Sequence, residues 1–243
     1  MESILITGAS GGIGSEIAKE LASPKSSLFL QYFQGEQKIK EIKRICEEKG
    51  ANVKTIRADL SVSDGAQQLI NSLDIVIDGF QTIIHNAGMS QFQLFTETAD
   101  HDMEALINIH LLNPMKVTRA LLPSMIQAKK GNIIMISSIW GQTGAACEVT
   151  YSAAKGGMNS FVKALAKEVA PSGIQVNGVA PGAIETTMLK DQGNEHLDQL
   201  IEEIPANRLG TPKDISQLVA FLHSNQSNYI NGQIISVNGA WYC

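Results

Sequence analysis

Seven short apolar runs recur along the chain: Ile4-Leu5-Ile6, Leu28-Phe29-Leu30, Val53-Lys54-Thr55-Ile56, Thr82-Ile83-Ile84, Ile133-Ile134-Met135-Ile136, Ile174-Gln175-Val176 and Ile234-Ile235-Ser236-Val237. They are rich in β-branched residues and almost continuously hydrophobic, the pattern of strands buried on both faces of a parallel sheet. Longer amphipathic stretches separate them. Over residues 36–49, Ile39, Ile42, Ile45 and Cys46 fall on one helical stripe, and Gly50 supplies a stop. Further helices are predicted at Ile13–Leu21, 100–128 and 151–170. Strand-helix alternation with right-handed crossovers predicts an α/β, doubly wound sheet of about seven mostly parallel strands, with helices on both faces. The charged segment near 184–207 breaks this rhythm and reads as a substrate lid rather than a second domain.

Composition narrows the classes. At 243 residues, with 44% hydrophobic and 18% charged residues, the chain suits one globular domain. A net charge of −5 argues against a nucleic-acid partner, which would need a basic face. No apolar run is long enough to cross a membrane, and the start lacks the marks of a signal peptide, so a cytoplasmic protein is expected. Cys46, Cys147 and Cys243 have no metal-ligand spacing and read as free thiols; no metal site is expected.

Between the first strand and the first helix lies Thr7-Gly8-Ala9-Ser10-Gly11-Gly12-Ile13-Gly14. Glycines placed there allow a tight turn and let backbone N–H groups approach a pyrophosphate at a helix N-terminus. The spacing is G-x-x-x-G-x-G rather than the commoner G-x-G-x-x-G. Gly8-Ala9-Ser10-Gly11-Gly12 also fits G-x-S-x-G, the nucleophile elbow of α/β-hydrolases. That fold needs earlier strands for its oxyanion-hole loop, and only seven residues precede Gly8.

The strand Ile133–Ile136 runs into Ser137-Ser138, and thirteen positions beyond Ser138 stands Tyr151-Ser152-Ala153-Ala154-Lys155. Tyr and Lys at i and i+4 share one helix face. A phenol with pKa near ~10 is a poor acid at neutral pH, and a neighbouring ammonium would lower it toward the useful range. Ser138, at a C-terminal strand end, would meet a ligand bound at that edge of the sheet.

Thr7-Gly8-x-x-x-Gly12-x-Gly14, Asn86-Ala87-Gly88, Asn108, Ser138, Tyr151-x-x-x-Lys155 and Pro181-Gly182-x-x-x-Thr186 together resemble the motif set of the short-chain dehydrogenase/reductases. The resemblance runs from Ile4 to Asn238-Gly239 and implies a single Rossmann-like domain over residues 1–243. It implies that Tyr151 is the general acid, that Lys155 holds the nicotinamide ribose, that Ser138 orients the carbonyl and that Asn108 holds a water in a proton relay. It further assigns Gly8, Ser10, Gly11, Gly12, Ile13 and Gly14 to the pyrophosphate. Asp59 and Leu60 fall to the adenine, Asn86, Ala87 and Gly88 to its ribose side, and Pro181, Gly182, Ile184 and Thr186 to the nicotinamide end.

Members preferring NAD carry an acid at the end of the second strand, where this chain has Tyr32. The basic residues of many NADP members are also missing, since Gly11 and Phe33 stand in their places; NADP(H) is expected, with NAD(H) as the alternative. Ala206-x-Arg208-Leu209-Gly210 and the stretch from Tyr229 to Gly239 resemble the 3-oxoacyl-[acyl carrier protein] reductases. Of that group's docking positions, Lys129 keeps its charge and Ser172 has lost it. Trp140, Cys147 and Glu148, with the ending Trp241-Tyr242-Cys243, instead resemble a bacterial subgroup that reduces the aminopentanone modification on elongation factor P. An acidic Glu148 suits an amine-bearing ketone, or is simply a solvated loop charge. A non-catalytic dinucleotide sensor is the remaining alternative. The resemblance implies a homotetramer paired through helices 100–128 and 151–170, with a small-molecule or carrier- or protein-bound ketone as substrate. Trp241 and Tyr242 are expected to dock rather than hang free.

Overall fold

The computed structural model describes residues 1–73, 79–186, 189 and 200–243. All seven predicted strands are present: β1 (Glu2–Ile6), β2 (Ser26–Tyr32), β3 (Asn52–Arg57), β4 (Thr82–His85), β5 (Gly131–Ile136), β6 (Ile174–Pro181) and β7 (Ile234–Val237). They form one sheet in the order β3-β2-β1-β4-β5-β6-β7, and every neighbouring pair is parallel. The chain winds outward from β1 to β3, then returns to place β4 on the other side of β1. The sheet therefore has its switch point between β1 and β4, where diverging loops open a crevice at the C-terminal strand ends.

Alternation along each strand divides the core between two faces. Ile4, Ile6, Leu28 and Leu30 pack with Ile17, Ile39, Ile42 and Cys46, from helices α1 (Gly12–Leu21) and α2 (Glu36–Glu48). Leu5, Phe29, Ile83 and Ile133 face the opposite layer, with Leu69 of α3 (Gly65–Ser72), Val117 and Met125 of α5 (Asn113–Ala128), and Val162 of α7 (Val149–Val169). The last helix, α8 (Pro212–His223), joins the first layer through Ile215, Val219 and Leu222. The α2 stripe is as predicted in Ile39, Ile42 and Cys46, while Ile45 is only partly buried. Gly50 lies beyond the helix at φ +88°, a left-handed position that ends it.

One predicted helix is broken. Residues 100–128 form α4 (Asp100–Ile107), a π-helical turn (Asn108–Leu112) and then α5, not a single continuous helix. The Asn113 N–H donates to the Asn108 carbonyl, five residues back. Such wide turns occur often at functional sites. A short helix, α6 (Trp140–Thr143), leads from the end of β5 toward α7. Half of the lid expected near 184–207 lies outside the described residues; in the described half Ile184 bridges Gly210, and Ile204 is buried. Among the described residues, no helix is long and apolar enough to cross a membrane, and no group of His, Cys, Asp or Glu could hold a metal ion.

Candidate active site

A cavity of about 880 Å³ opens along the C-terminal edge of the sheet. Its floor is the glycine turn. Gly8 has φ +64°, and a Cβ there would stand 2.7 Å from Ala87 Cα, so β1 and β4 approach too closely for any side chain. Thr7 Oγ1 holds the two strand ends together by accepting from the N–H groups of Asn86 and Ala87, at 2.9 and 3.0 Å. Asn86 Nδ2 donates back to the carbonyls of Thr7 and Gly8. Helix α1 begins at Gly11 with no side-chain cap and no acid in its first turn. Gly11, Gly12 and Ile13 face the cavity, and a Cβ on Gly12 would meet Thr186 Cγ2 at 2.8 Å. An uncapped helix start in a side-chain-free cradle fits a dinucleotide pyrophosphate.

The chemistry-bearing side chains rise on the wall made by β5 and α7. Ser138, Tyr151 and Lys155 all line the cavity. Ser138 Oγ accepts from the Trp140 N–H at 3.1 Å and is hydrogen-bonded to Tyr151. Although Tyr151 is only partly buried as a residue, enough protein surrounds its hydroxyl to push it up to about 12; the Ser138 hydrogen bond lowers it, and the charge of Glu148 raises it further. Lys155 is buried, donates from Nζ to the Ile136 carbonyl at 2.7 Å, and is pulled down to about 7 by desolvation. Its Nζ lies 5.6 Å from the centre of the Tyr151 ring. Beneath it, Ser137 Oγ donates to Asn159 Oδ1, and Asn159 Nδ2 donates to the Gly141 carbonyl, fixing α6 against α7.

The other expected residues divide. Ser10, Asp59, Leu60, Gly88, Pro181, Gly182 and Ile184 line the cavity with Asn86, Ala87 and Thr186. Asp59 Oδ1 accepts from Ser61 N–H and Oγ–H, which fixes its loop. Gly14 lies behind the wall; its Cβ would sit 2.3 Å from the Gly8 carbonyl, so its role is to let α1 start so close. Tyr32 is not brought to the cavity and packs beside the core, while Phe33 and Gln34 form that stretch of wall. Asn108 is not brought there either: its Nδ2 donates to the Ser61 carbonyl at 3.2 Å, because the wide turn carries it toward the β3–α3 loop. His110, two residues on, lines the cavity and meets the Tyr151 ring edge-to-face at 5.0 Å.

Two further features escaped the sequence reading. Arg57, at the end of β3 and paired with Tyr32 across the ladder, donates from Nε to the Phe33 carbonyl at 3.3 Å and lies 5.6 Å from the centre of the Phe33 ring. The chain end also closes the cavity. Trp140, Trp241 and Tyr242 stack mutually at centroid separations of 5.3–5.5 Å and share the cavity with Glu148, whose carboxylate accepts from the Trp140 side chain. The docking of Trp241 and Tyr242 thus occurs within one chain.

A parallel sheet with its crevice at the switch point, a glycine cradle and a Ser-Tyr-Lys wall define a nicotinamide-dinucleotide-dependent oxidoreductase. Residues 8–241 match the family described as Enoyl-(Acyl carrier protein) reductase. The chain is 45% identical over 240 residues to the uncharacterized oxidoreductase YmfI of Bacillus subtilis, covering 98% of each protein. It is 34% identical to the 3-oxoacyl-[acyl-carrier-protein] reductase FabG of Aquifex aeolicus, covering 98% of this chain and 96% of that one. A crystal structure with bound NADP, of a candidate 2-deoxy-d-gluconate 3-dehydrogenase from Agrobacterium tumefaciens, superposes with a TM-score of 0.89 at 28% identity, over 99% of this chain and 96% of that one. The chain belongs to the short-chain dehydrogenase/reductase family.

Proposed function

We propose that the protein is an NADP(H)-dependent reductase that converts a ketone to a secondary alcohol, with chemistry like that of 3-oxoacyl-[acyl carrier protein] reductases. The observation that carries this reading is the convergence of Ser138, Tyr151 and Lys155 on one cavity with the glycine cradle. The dinucleotide, when bound, supplies the hydride. Ser138 and the Tyr151 hydroxyl hold the carbonyl oxygen by hydrogen bonds, and Tyr151 transfers its proton to that oxygen as charge develops. Lys155, fixed by the Ile136 carbonyl, would hold the ribose hydroxyls; the lowering of Tyr151 expected from its ammonium is not present in the cofactor-free site, where burial dominates both groups, and only the protonated lysine would stabilise the phenolate left behind. Ser10, Gly11, Gly12 and Ile13 hold the pyrophosphate, and Asp59 and Leu60 border the adenine.

Two features support NADP(H) over NAD(H). The β2 end presents Phe33 and Gln34 rather than an acid, so a 2′-phosphate meets no carboxylate there. The Arg57 guanidinium beside Phe33 brings a cation to the same rim, and Glu36 nearby is already engaged by Lys40 at 2.7 Å. We further propose a cytoplasmic homotetramer, with Leu112, Met115 and Val149 as exposed apolar residues on the pairing helices.

A second reading of the substrate has its own support. Glu148 raises the Tyr151 pKa, which opposes the proton transfer; a cationic group on the substrate would neutralise that charge. The neighbouring faces of Trp140, Trp241 and Tyr242 suit a cation as well. This favours an amine-bearing ketone such as the 5-aminopentanone modification of elongation factor P. Following NADPH absorbance with an acetoacetyl thioester of acyl carrier protein and with aminopentanone-modified elongation factor P decides between the two. Tyr151→Phe should lower turnover of either by a factor of at least ~10² while still binding NADPH; retained turnover would overturn the mechanism, and an inactive parent that still binds NADPH would point to a sensor. Glu148→Gln should narrow the preference for the amine-bearing ketone over a neutral one, and an unchanged ratio would leave Glu148 a solvated loop charge.

A further inference from the structure

Gln31 interrupts the apolar run of β2 and is 2% exposed, yet it belongs to the cavity wall. Its side-chain amide is used at both ends. Oε1 accepts from the Gly8 N–H at 2.7 Å, and Nε2 donates to the Ala58 carbonyl at 2.7 Å. These partners fix the orientation of the amide, since an N–H only donates and a carbonyl only accepts. The Gln31 backbone carbonyl also accepts from the Ala9 N–H at 2.8 Å. On the opposite side of β1, Asn86 Nδ2 donates to the Thr7 carbonyl at 3.1 Å. The Thr7–Gly8 peptide unit is therefore held at its oxygen from the β4 side and at its nitrogen from the β2 side. That clamp matters at this position. Gly8 has φ +64°, and a glycine takes either sign of φ with similar ease, so its own backbone does not stop the peptide from turning over. Ala58, at the other end of the bridge, precedes Asp59, whose carboxylate orders its loop through Ser61.

We infer that Gln31 is a positioning residue for the adenosine half of the dinucleotide: one buried amide ties the turn that carries the pyrophosphate to the loop that borders the adenine. It sets the separation of those two loops before any cofactor arrives. Ser138, Tyr151 and Lys155 stand on the wall made by β5 and α7, across β1 and β4 from Gln31, so the bridge acts on binding rather than on the transfer of hydride and proton. An apolar side chain of the same length would leave the Gly8 N–H and the Ala58 carbonyl to solvent in the cavity, which loosens both loops without opening the core. The inference rests on the dinucleotide lying along the glycine cradle, as proposed above.

Gln31→Met keeps the length of the side chain and removes both bonds. Fluorescence titration of the full-length variant should show NADPH binding weakened roughly tenfold or more. Adenosine 2′,5′-bisphosphate, a fragment without the nicotinamide, should weaken by the same factor. At saturating NADPH, kcat and the KM for whichever of the two ketones the parent reduces should stay within about twofold of the parent. Parental NADPH affinity in the variant, an unchanged affinity for the bisphosphate, or a kcat that falls as far as the affinity overturns the role. Hydrogen exchange on the cofactor-free parent needs no variant. The Gly8 amide should exchange at least ~10² times more slowly than an open-loop amide; exchange at the open-loop rate overturns the inference even should the methionine variant not fold. A parent that binds neither NADPH nor the bisphosphate would instead fault the cofactor assignment, so the two failures are distinguishable.

Discussion

Lys155 shows what the site costs in stability. An unfolded lysine titrates near ~10.4, whereas burial holds this one at about 7. Between those values the unfolded chain binds the extra proton, so the Lys155 contribution to stability rises as pH increases from about 7 toward 10. Tyr151, raised to about 12, acts with the opposite sign, and only above its ordinary value near 10. Lys155→Met should therefore raise the melting temperature of the cofactor-free protein at neutral pH and flatten its rise with pH, while turnover is lost. Thermal melts of both proteins between pH 6 and about 10 check this. At this scale the sequence displays Ser138, Tyr151 and Lys155 because their spacing is local, one strand end and one helix turn. His110 and Arg57 were not legible in the same way. Their neighbours, Met89, Tyr151 and Phe33, lie far along the chain or across a sheet ladder, and periodicity carries no information about such pairings.

Among elements, the strands were the most readable, since a strand buried on both faces must be nearly all apolar, as Ile133–Ile136 is. The π-helical turn was hidden because residues 100–128 have a helical pattern throughout, and one extra residue per turn leaves that pattern almost unchanged. It nonetheless decides which side chain enters the site, Asn108 or His110. Small residues in α7 also acquire definite duties: Gly157 admits Leu111 of the turn, where a Cβ would come within 2.9 Å, and Ala154 is buried. The β1–α1 junction depends on a similar closeness. A methyl at Gly14 would press on the Gly8 carbonyl at 2.3 Å and on Asn86 Nδ2 at 2.6 Å, neither of which can withdraw without moving the cradle. Gly14→Ala should destabilise the fold by about 1–3 kcal/mol, as overpacking does, and weaken NADPH binding more than tenfold. Denaturant titration and fluorescence titration measure the two effects separately, and a variant with parental NADPH affinity would deny the junction its part in the cradle.

For the whole molecule, the alternation of strands and helices made the doubly wound sheet legible, and with it the crevice at the β1–β4 switch point. The closing of that crevice by the chain end was less so, because aromatic residues at a terminus reveal only that they will be buried, not against what. Trp241 and Tyr242 have their partner in Trp140, and Asn238 Nδ2 donates to the Tyr242 carbonyl at 2.6 Å to hold the end in place. Their packing therefore does not require a neighbouring subunit. The proposed assembly would instead cover the exposed apolar residues Leu112, Met115 and Val149. Light scattering should give four times the chain mass of 26.2 kDa, and Met115→Glu should shift the protein toward smaller species. A monomeric parent would remove the basis for the assembly.

The lowered Lys155 has a consequence for the cofactor-free protein as a population. Burial lets Lys155 give up its proton at a pH where a solvent-exposed lysine keeps it, so the charge in the empty cavity depends on the pH of the solution. A dinucleotide brings phosphates and a ribose that favour the charged form. Occupying the cavity is then also an uptake of hydrogen ions from the buffer, and the apparent affinity becomes a property of the solution as much as of the protein.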